Sequence, residues 1–263
     1  VARNGPPTAQ ERWEEEAGYS PTSIAAESAG LGCAADIAIQ EGHDADALIW
    51  QALADDWADR VEEWTATETG TKRHTNTPYY VRITRDGDPD VGHLRTLANN
   101  GPTLDEREII DAGFLELTRL GIKPAHDEVV RNSVTEVDRT LRVDTPHGPA
   151  FYRYNGDGYG ERAIDEEGAP WSIESKGKGR LWPIFTGERG EYELLHRPDE
   201  DALDPRNLLE TMAGFANSGR MLAEQVWDRD HSTDYNWEFG EGTGAATPLA
   251  WSMAQYVRLA HGI

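Results

Sequence analysis

Apolar residues recurring every three or four positions constrain this chain more than any other feature. Ile49, Leu53, Trp57, Val61 and Trp64 fall on one face of a helix of period 3.6. The same spacing returns in Ile109, Ile110, Phe114, Leu117 and Leu120, stopped by Gly121 and Pro124, and again in Val129, Val130, Val134, Val137 and Leu141. Upstream, Ser20-Pro21-Thr22 offers a cap and a first-turn proline for a helix over Ser23–Gln40. Its small residues (Ala25, Ala26, Ala29, Gly30, Gly32, Ala34, Ala35) would let a second helix approach closely, and Gly42-His43-Asp44 ends it. Further helices are expected near Leu181–Leu195, Pro205–Asn217 and Pro248–His261. Tyr79–Thr84 is a short strand-like alternation ending at Asp86-Gly87. With no repeat and no low-complexity linker, the pattern predicts one all-α domain over residues 1–263. It should be built of antiparallel helical hairpins in layers, with long loops between them.

Charge decides which partners such a domain can have. The 48 acidic residues outnumber 25 basic ones, for a formal charge of −23. Lysine is confined to Lys72, Lys123, Lys176 and Lys178. A binder of nucleic acid or of an anionic membrane carries the opposite sign, so neither is expected as a partner. High acid with little lysine points to a halophilic source, because molar salt screens charge repulsion within about 3 Å. Nine tryptophans, nine tyrosines and the apolar helical stripes argue strongly against an acidic disordered chain. The lone Cys33 allows no internal disulfide and no cysteine-based zinc site, which is compatible with a cytoplasmic location. His43, His74, His93, His126, His147, His196, His231 and His261 show no metal-ligand spacing. No apolar run approaches the roughly 20 residues of a membrane span, no signal peptide is present, and the start at Val1 reads as cut.

Two acidic segments stand apart from this solvated charge. Arg12-Trp13-Glu14-Glu15-Glu16-Ala17-Gly18-Tyr19-Ser20-Pro21 and Met221-Leu222-Ala223-Glu224-Gln225-Val226-Trp227-Asp228 set carboxylates beside aromatic, glycine and amide residues. A carboxyl against an indole loses water and holds its proton more tightly. Two carboxyl groups facing each other across a sugar are what glycosidic bond hydrolysis needs. Arg153-Tyr154-Asn155-Gly156-Asp157-Gly158-Tyr159-Gly160-Glu161, Pro170-Trp171 and Gly177–Pro183 gather glycine and aromatic residues without the lysine-serine or lysine-threonine pair of a phosphate loop. Aromatic faces with scattered Arg, Asp and Glu suit carbohydrate instead. Asp55, Asp56, Glu62 and Glu63 read as a solvated face.

Arg12-Trp13-Glu14-Glu15 with Gly18–Glu27, Gly179–Leu194, Ala223–Asp228 and Gly240–Trp251 together resemble glycoside hydrolase family 15, in its bacterial and archaeal branch. The likeness runs in order from residue 12 to residue 259. It implies an (α/α)6 barrel of the six-hairpin type, hydrolysing α-glucans or maltooligosaccharides from the non-reducing end with release of β-glucose. By the same resemblance Glu14 is the general acid, Glu224 the general base and Glu15 a sugar contact. Trp13, Arg153 and Trp171, and more distantly Trp182 and Trp251, are implied as substrate-binding residues. Neither metal nor organic cofactor is implied. Ala223 stands where many relatives have proline. The family's arginine-aspartate grip on the terminal glucose finds no match, so the chain is expected to be the C-terminal portion of the barrel, its N-terminal helices missing. A trehalase on the same scaffold, or a non-catalytic carbohydrate-binding relic of the barrel, are the alternatives.

Overall fold

The computed structural model describes residues 1–196, 203–231 and 233–263. Helices are its longest elements, as the periodicity predicts. The chain forms two compact units, Val1–Arg95 with Asp105–Glu136, and Thr96–Leu104 with Val137–Ile263.

In the first unit, α1 (Pro21–Gln40) packs along α2 (Asp44–Thr65). Ser20 is extended and Pro21 opens the helix two residues before the expected start; the proline signal holds, but the Ser20 side chain makes no capping hydrogen bond. α1 buries Ile24, Ala25, Ser28, Leu31, Ala35 and Ala38; α2 buries Ala47, Ala54, Trp57, Val61 and Trp64. Two expectations need correcting. Gly30 and Gly32 face open space, so buried alanines rather than glycines permit the close approach. Ile49 is exposed, because the buried stripe of α2 enters through Ala47. The solvated face holds for Asp55, Asp56 and Glu63, whereas half-buried Glu62 accepts the Tyr80 hydroxyl and the Lys123 ammonium, each at 2.7 Å.

The helix expected over Ile109–Leu120 is mostly absent. Asp111 turns its carboxylate onto the Gly113 amide at 2.5 Å, capping a 3-10 turn at Ala112–Phe114 and leaving only α3 (Leu115–Arg119) helical. A short acidic side chain bonded two residues on competes with the helical ladder in this way. Of the Tyr79–Thr84 alternation, only Tyr79–Tyr80 pairs as a strand, with Ala66–Thr67. Arg82 donates its amide to Ile109 instead, and Thr84 exchanges two backbone hydrogen bonds with Tyr19. α4 (Glu128–Thr140) contributes residues 128–136 to this unit, with Val130 and Val134 buried.

The second unit is organised around α5 (Pro183–His196), buried on nearly all sides from Pro183 to Gly190. It packs on α6 (Pro205–Gly214) and α7 (Ala250–Gly262). A Cβ on Gly187 would lie 2.7 Å from the Met212 sulfur, and one on Gly190 would lie 2.6 Å from Leu259, so glycine lets the helices close up. A hairpin pairs Arg142–Thr145 with Gly148–Phe151. Beyond it, single backbone bridges join Tyr152 to Leu181, Leu181 to Val226 and Val226 to Gly242. These bridges rest on a core of Ala150, Leu181, Leu208, Met212, Phe215, Leu222, Val226 and Leu259, and they fix Ala223–Asp228. Among the described residues, no helix is long and apolar enough to cross a membrane.

Candidate active site

In the first unit the acid segment folds into a tight turn. The Glu14 amide donates to Glu11 O at 2.9 Å, and the Glu11 amide donates to Glu16 O at 2.9 Å. Three of the four glutamates are committed. Buried Arg82 donates through Nη2 to Glu11 at 2.6 Å and to Glu15 at 2.8 Å, and Glu11 also accepts the Trp13 amide at 2.8 Å. Arg95, chelating Glu106 through Nε at 3.1 Å and Nη2 at 2.8 Å, holds Glu16 with its remaining nitrogen. Glu14 alone is exposed, and it makes no ion pair among the described residues. Its φ of 59° lies in the left-handed region, which costs a non-glycine residue about 1 kcal/mol or more.

Trp13 points the other way. Its ring is buried and its Nε1 donates to Asp111 Oδ2 at 2.7 Å, with the Arg12 guanidinium 5.0 Å from the ring centroid. Burial pushes the Asp111 carboxyl up to about 6, against the opposing pull of Arg82 and of the Trp13 hydrogen bond. The polar edge of the indole is therefore committed to Asp111, while the adjacent Glu14 is exposed.

In the second unit, Glu224 is 9% exposed and its amide donates to Ala246 O at 2.9 Å. Gln225 Nε2 lies 3.4 Å from the Glu224 Oε1. Gln225 is otherwise spent on structure. Its Oε1 accepts the Arg180 amide at 2.7 Å, and its Nε2 also donates to Tyr159 O at 3.1 Å.

Around Tyr159 the structure gathers three of the expected substrate residues. Arg153 lies 5.1 Å from the Tyr159 ring and 5.6 Å from Trp182, while Trp171 meets Tyr159 edge-on at 5.1 Å. Arg153 is fixed by Asp157, through Nε at 2.5 Å and Nη2 at 2.9 Å. Trp171 is 37% exposed and, with Tyr159, Glu161, Pro170 and Gln225, lines a cavity of about 220 Å³; Trp182 is buried. Trp251 stands in the first turn of α7, 40% exposed. Its segment is tied alongside Leu222–Glu224 by Leu249 N to Leu222 O at 2.9 Å and by the Glu224–Ala246 bond.

Alongside the Glu224 segment lies a buried ion network, with Lys178 at its partly exposed rim. Arg180 donates to Asp228 Oδ1 at 2.7 Å and to the carbonyls of Glu161 and Arg162, and stacks 4.0 Å over Trp227. Asp228 also takes the Tyr152 hydroxyl at 2.5 Å and the Lys178 ammonium. Burial works to raise the Asp228 carboxyl, but Arg180, then Lys178, then Tyr152 hold it down to about 2. Burial lowers Lys178 in spite of that carboxylate.

The sequence reading missed Tyr159, Asp157, Arg82 and Asp111. Tyr159 and Asp157 lie in the glycine-aromatic loop it singled out, which was the available signal. Arg82 and Asp111 carried none, being single residues far along the chain from the acid turn they hold.

The model of the glycosyl hydrolases family 15 matches residues 1–261. The chain belongs to glycoside hydrolase family 15. It is 43% identical over 259 residues to a glucoamylase of Clostridium sp. (strain G0005), covering 98% of this chain and 34% of that protein. The crystal structure of a bacterial glucoamylase complexed with acarbose superposes with a TM-score of 0.87 at 43% identity, over 99% of this chain and 36% of the other. The glucoamylase of Saccharomycopsis fibuligera, at 15% identity and TM-score 0.57 over 95% of this chain and 56% of its own, shares the fold. The chain thus spans about a third of the length of the bacterial relatives it matches. Its all-α fold is a portion of the family's (α/α)6 barrel.

Proposed function

We propose that these residues carry the carboxylate pair of an inverting, exo-acting glucan 1,4-α-glucosidase, with Glu14 as general acid and Glu224 as general base. Glu14 gives its proton to the glycosidic oxygen as the bond to the anomeric carbon breaks. Glu224 takes a proton from a water that attacks that carbon from the opposite face, so glucose leaves as the β-anomer. The observation that carries this reading is the division of labour in the acid turn. Glu11, Glu15 and Glu16 are bound by Arg82 and Arg95, and Glu14 is left exposed at a left-handed apex.

On this reading Arg153, Trp171, Trp182 and Trp251 contribute to holding sugar. Glu15, held by Arg82, is a sugar contact on the same reading, and buried Trp13 lies within the acid turn. The exposed Trp171 beside the cavity suits the stacking that sugar C–H faces prefer. An α-glucan or maltooligosaccharide is preferred to trehalose because the relative at 43% identity is a glucoamylase, as is the one solved with acarbose. General acid and base groups each contribute about 10²- to 10⁴-fold. In the full-length protein, Glu14→Gln and Glu224→Gln should therefore each lower kcat on maltotriose by about 10³-fold, with exposed Glu63→Gln unchanged. Full activity in Glu224→Gln would end the assignment.

A further inference from the structure

One buried carboxyl has no part in the proposed chemistry, yet it is joined to the acid turn. Asp111 Oδ2 accepts the Trp13 indole N–H at 2.7 Å, and Oδ1 accepts the Gly113 amide at 2.5 Å. Capping the 3-10 turn at Ala112–Phe114 needs only the second of these bonds. The first reaches 98 positions along the chain, to the residue that precedes Glu14. Trp13 is thereby fixed at two points, its backbone amide on Glu11 at 2.8 Å and its indole on Asp111. Glu14 follows directly, with its own amide on Glu11 O at 2.9 Å and its φ at 59°. The anchor itself is held in place. A Cβ on Gly113 would lie 2.2 Å from the Thr22 hydroxyl, so the start of α1 packs against the Asp111 turn. Two residues before Asp111, Ile109 O accepts the Arg82 amide at 3.1 Å. A capping role alone would be filled by asparagine, whose one side-chain oxygen accepts one amide. Two donors meet Asp111, and a carboxylate accepts both; an asparagine would turn its NH2 against the Gly113 amide or against the indole N–H.

We propose that Asp111 is a positioning residue for the general acid, holding Trp13 by its indole so that Glu14 stands where it can protonate the glycosidic oxygen. The role rests on reading Glu14 as that acid. Burial, with a smaller push from Glu11, raises the carboxyl to about 6 against the pull of Arg82 and of the Trp13 hydrogen bond. Above that value both oxygens are free of a proton and accept, so the tether is complete at pH 7.5. A misplaced proton donor slows bond breaking without weakening the grip on sugar, so the effect belongs in kcat rather than KM.

The test is Asp111→Asn in the full-length protein at pH 7.5, assayed on maltotriose and on α-D-glucosyl fluoride. Fluoride departs with little help from a proton donor, so a misaimed acid is felt on maltotriose and spared on the fluoride. The expected result, per folded protein as read by tryptophan fluorescence, is a kcat lowered by about 10- to 100-fold on maltotriose. On the fluoride kcat should stay within about threefold, as should KM on both substrates. An equal loss on both substrates overturns the proposal, because a general loosening of the fold does not single out the leaving group. Wild-type kcat on maltotriose, or a loss confined to KM, overturns it as well. Trp13→Phe supplies the second check by removing the indole N–H. In that background Asp111→Asn should lower kcat on maltotriose by no more than about twofold further, and the same loss in both backgrounds would show that the aspartate does not act through Trp13. Parental activity on maltotriose in Glu14→Gln would instead remove the general acid itself, so the two failures are distinct.

Discussion

Replacing Asp228 tests whether the buried network alongside the Glu224 segment is as strong as its geometry implies. Arg180 and Asp228 are both 0% exposed at their side chains and meet at 2.7 Å, with Lys178 and Tyr152 on the second carboxylate oxygen. A fall of the carboxyl from 3.8 to about 2 corresponds to about 2 kcal/mol of stability, at about 1.4 kcal/mol per pH unit. Because the folded value is the lower one, that contribution is present above the ordinary carboxylate range and is lost as pH falls through about 2. Asp228→Asn keeps an oxygen for Arg180 but removes the charge, and should cost about 2–3 kcal/mol at pH 7. Asp228→Ala leaves the guanidinium with the Glu161 carboxylate at 3.6 Å, two carbonyls and the Trp227 face, and should cost about 3–5 kcal/mol. Urea unfolding followed by tryptophan fluorescence reads both, with Trp227 as a local reporter. Burial shields the pair from counterions, so the cost should be equal at low and molar KCl. An Asn variant within about 0.5 kcal/mol of the parent at pH 7, or a gap between them that does not narrow from pH 5 to pH 2, would refute the reasoning.

Asp111 behaves in the opposite sense. Its folded value of about 6 lies above 3.8, so up to about 3 kcal/mol of stability is present below the ordinary range and lost as pH rises through about 6. The parent should therefore lose stability relative to Asp111→Asn between about pH 4 and pH 6.5, and curves that run parallel across that window would contradict this. Gly18, at φ +145°, would place a Cβ 2.1 Å from Thr84 O, so Gly18→Ala should cost about 1–3 kcal/mol and loosen the acid turn. Differential scanning calorimetry measures it. With a formal charge of −23, the chain should lose stability as KCl is withdrawn, and a melting temperature independent of salt would remove the halophile reading.

The helices were legible because the chain writes them twice, as apolar stripes and as breaks such as Ser20-Pro21 and Gly42-His43. The stretch from Ile109 to Leu120 carried the same stripe but not the outcome, since Asp111 bonds Gly113 and stops the helix before it starts. The bridges through Tyr152, Leu181, Val226 and Gly242 were invisible, because each segment gives a single residue to them and one residue has no period. At the site, Glu14 and Glu224 stood out by the company they keep in sequence, while their supports did not. Trp13 and Glu14 are adjacent, yet the turn sends the indole inward and leaves the carboxylate exposed, so adjacency was a poor guide to contact. Arg82 reaches Glu11 and Glu15 across some seventy positions, and Arg180 reaches Asp228 across 48; only folding reveals such pairs.

The most direct test of the central claim is proton NMR of maltotriose during the first minutes of hydrolysis by the full-length protein in high KCl, before mutarotation mixes the anomers. The account predicts that the β-anomeric signal of glucose appears first and that Glu224→Gln abolishes it. Glucose released first as the α-anomer would contradict an inverting pair of Glu14 and Glu224.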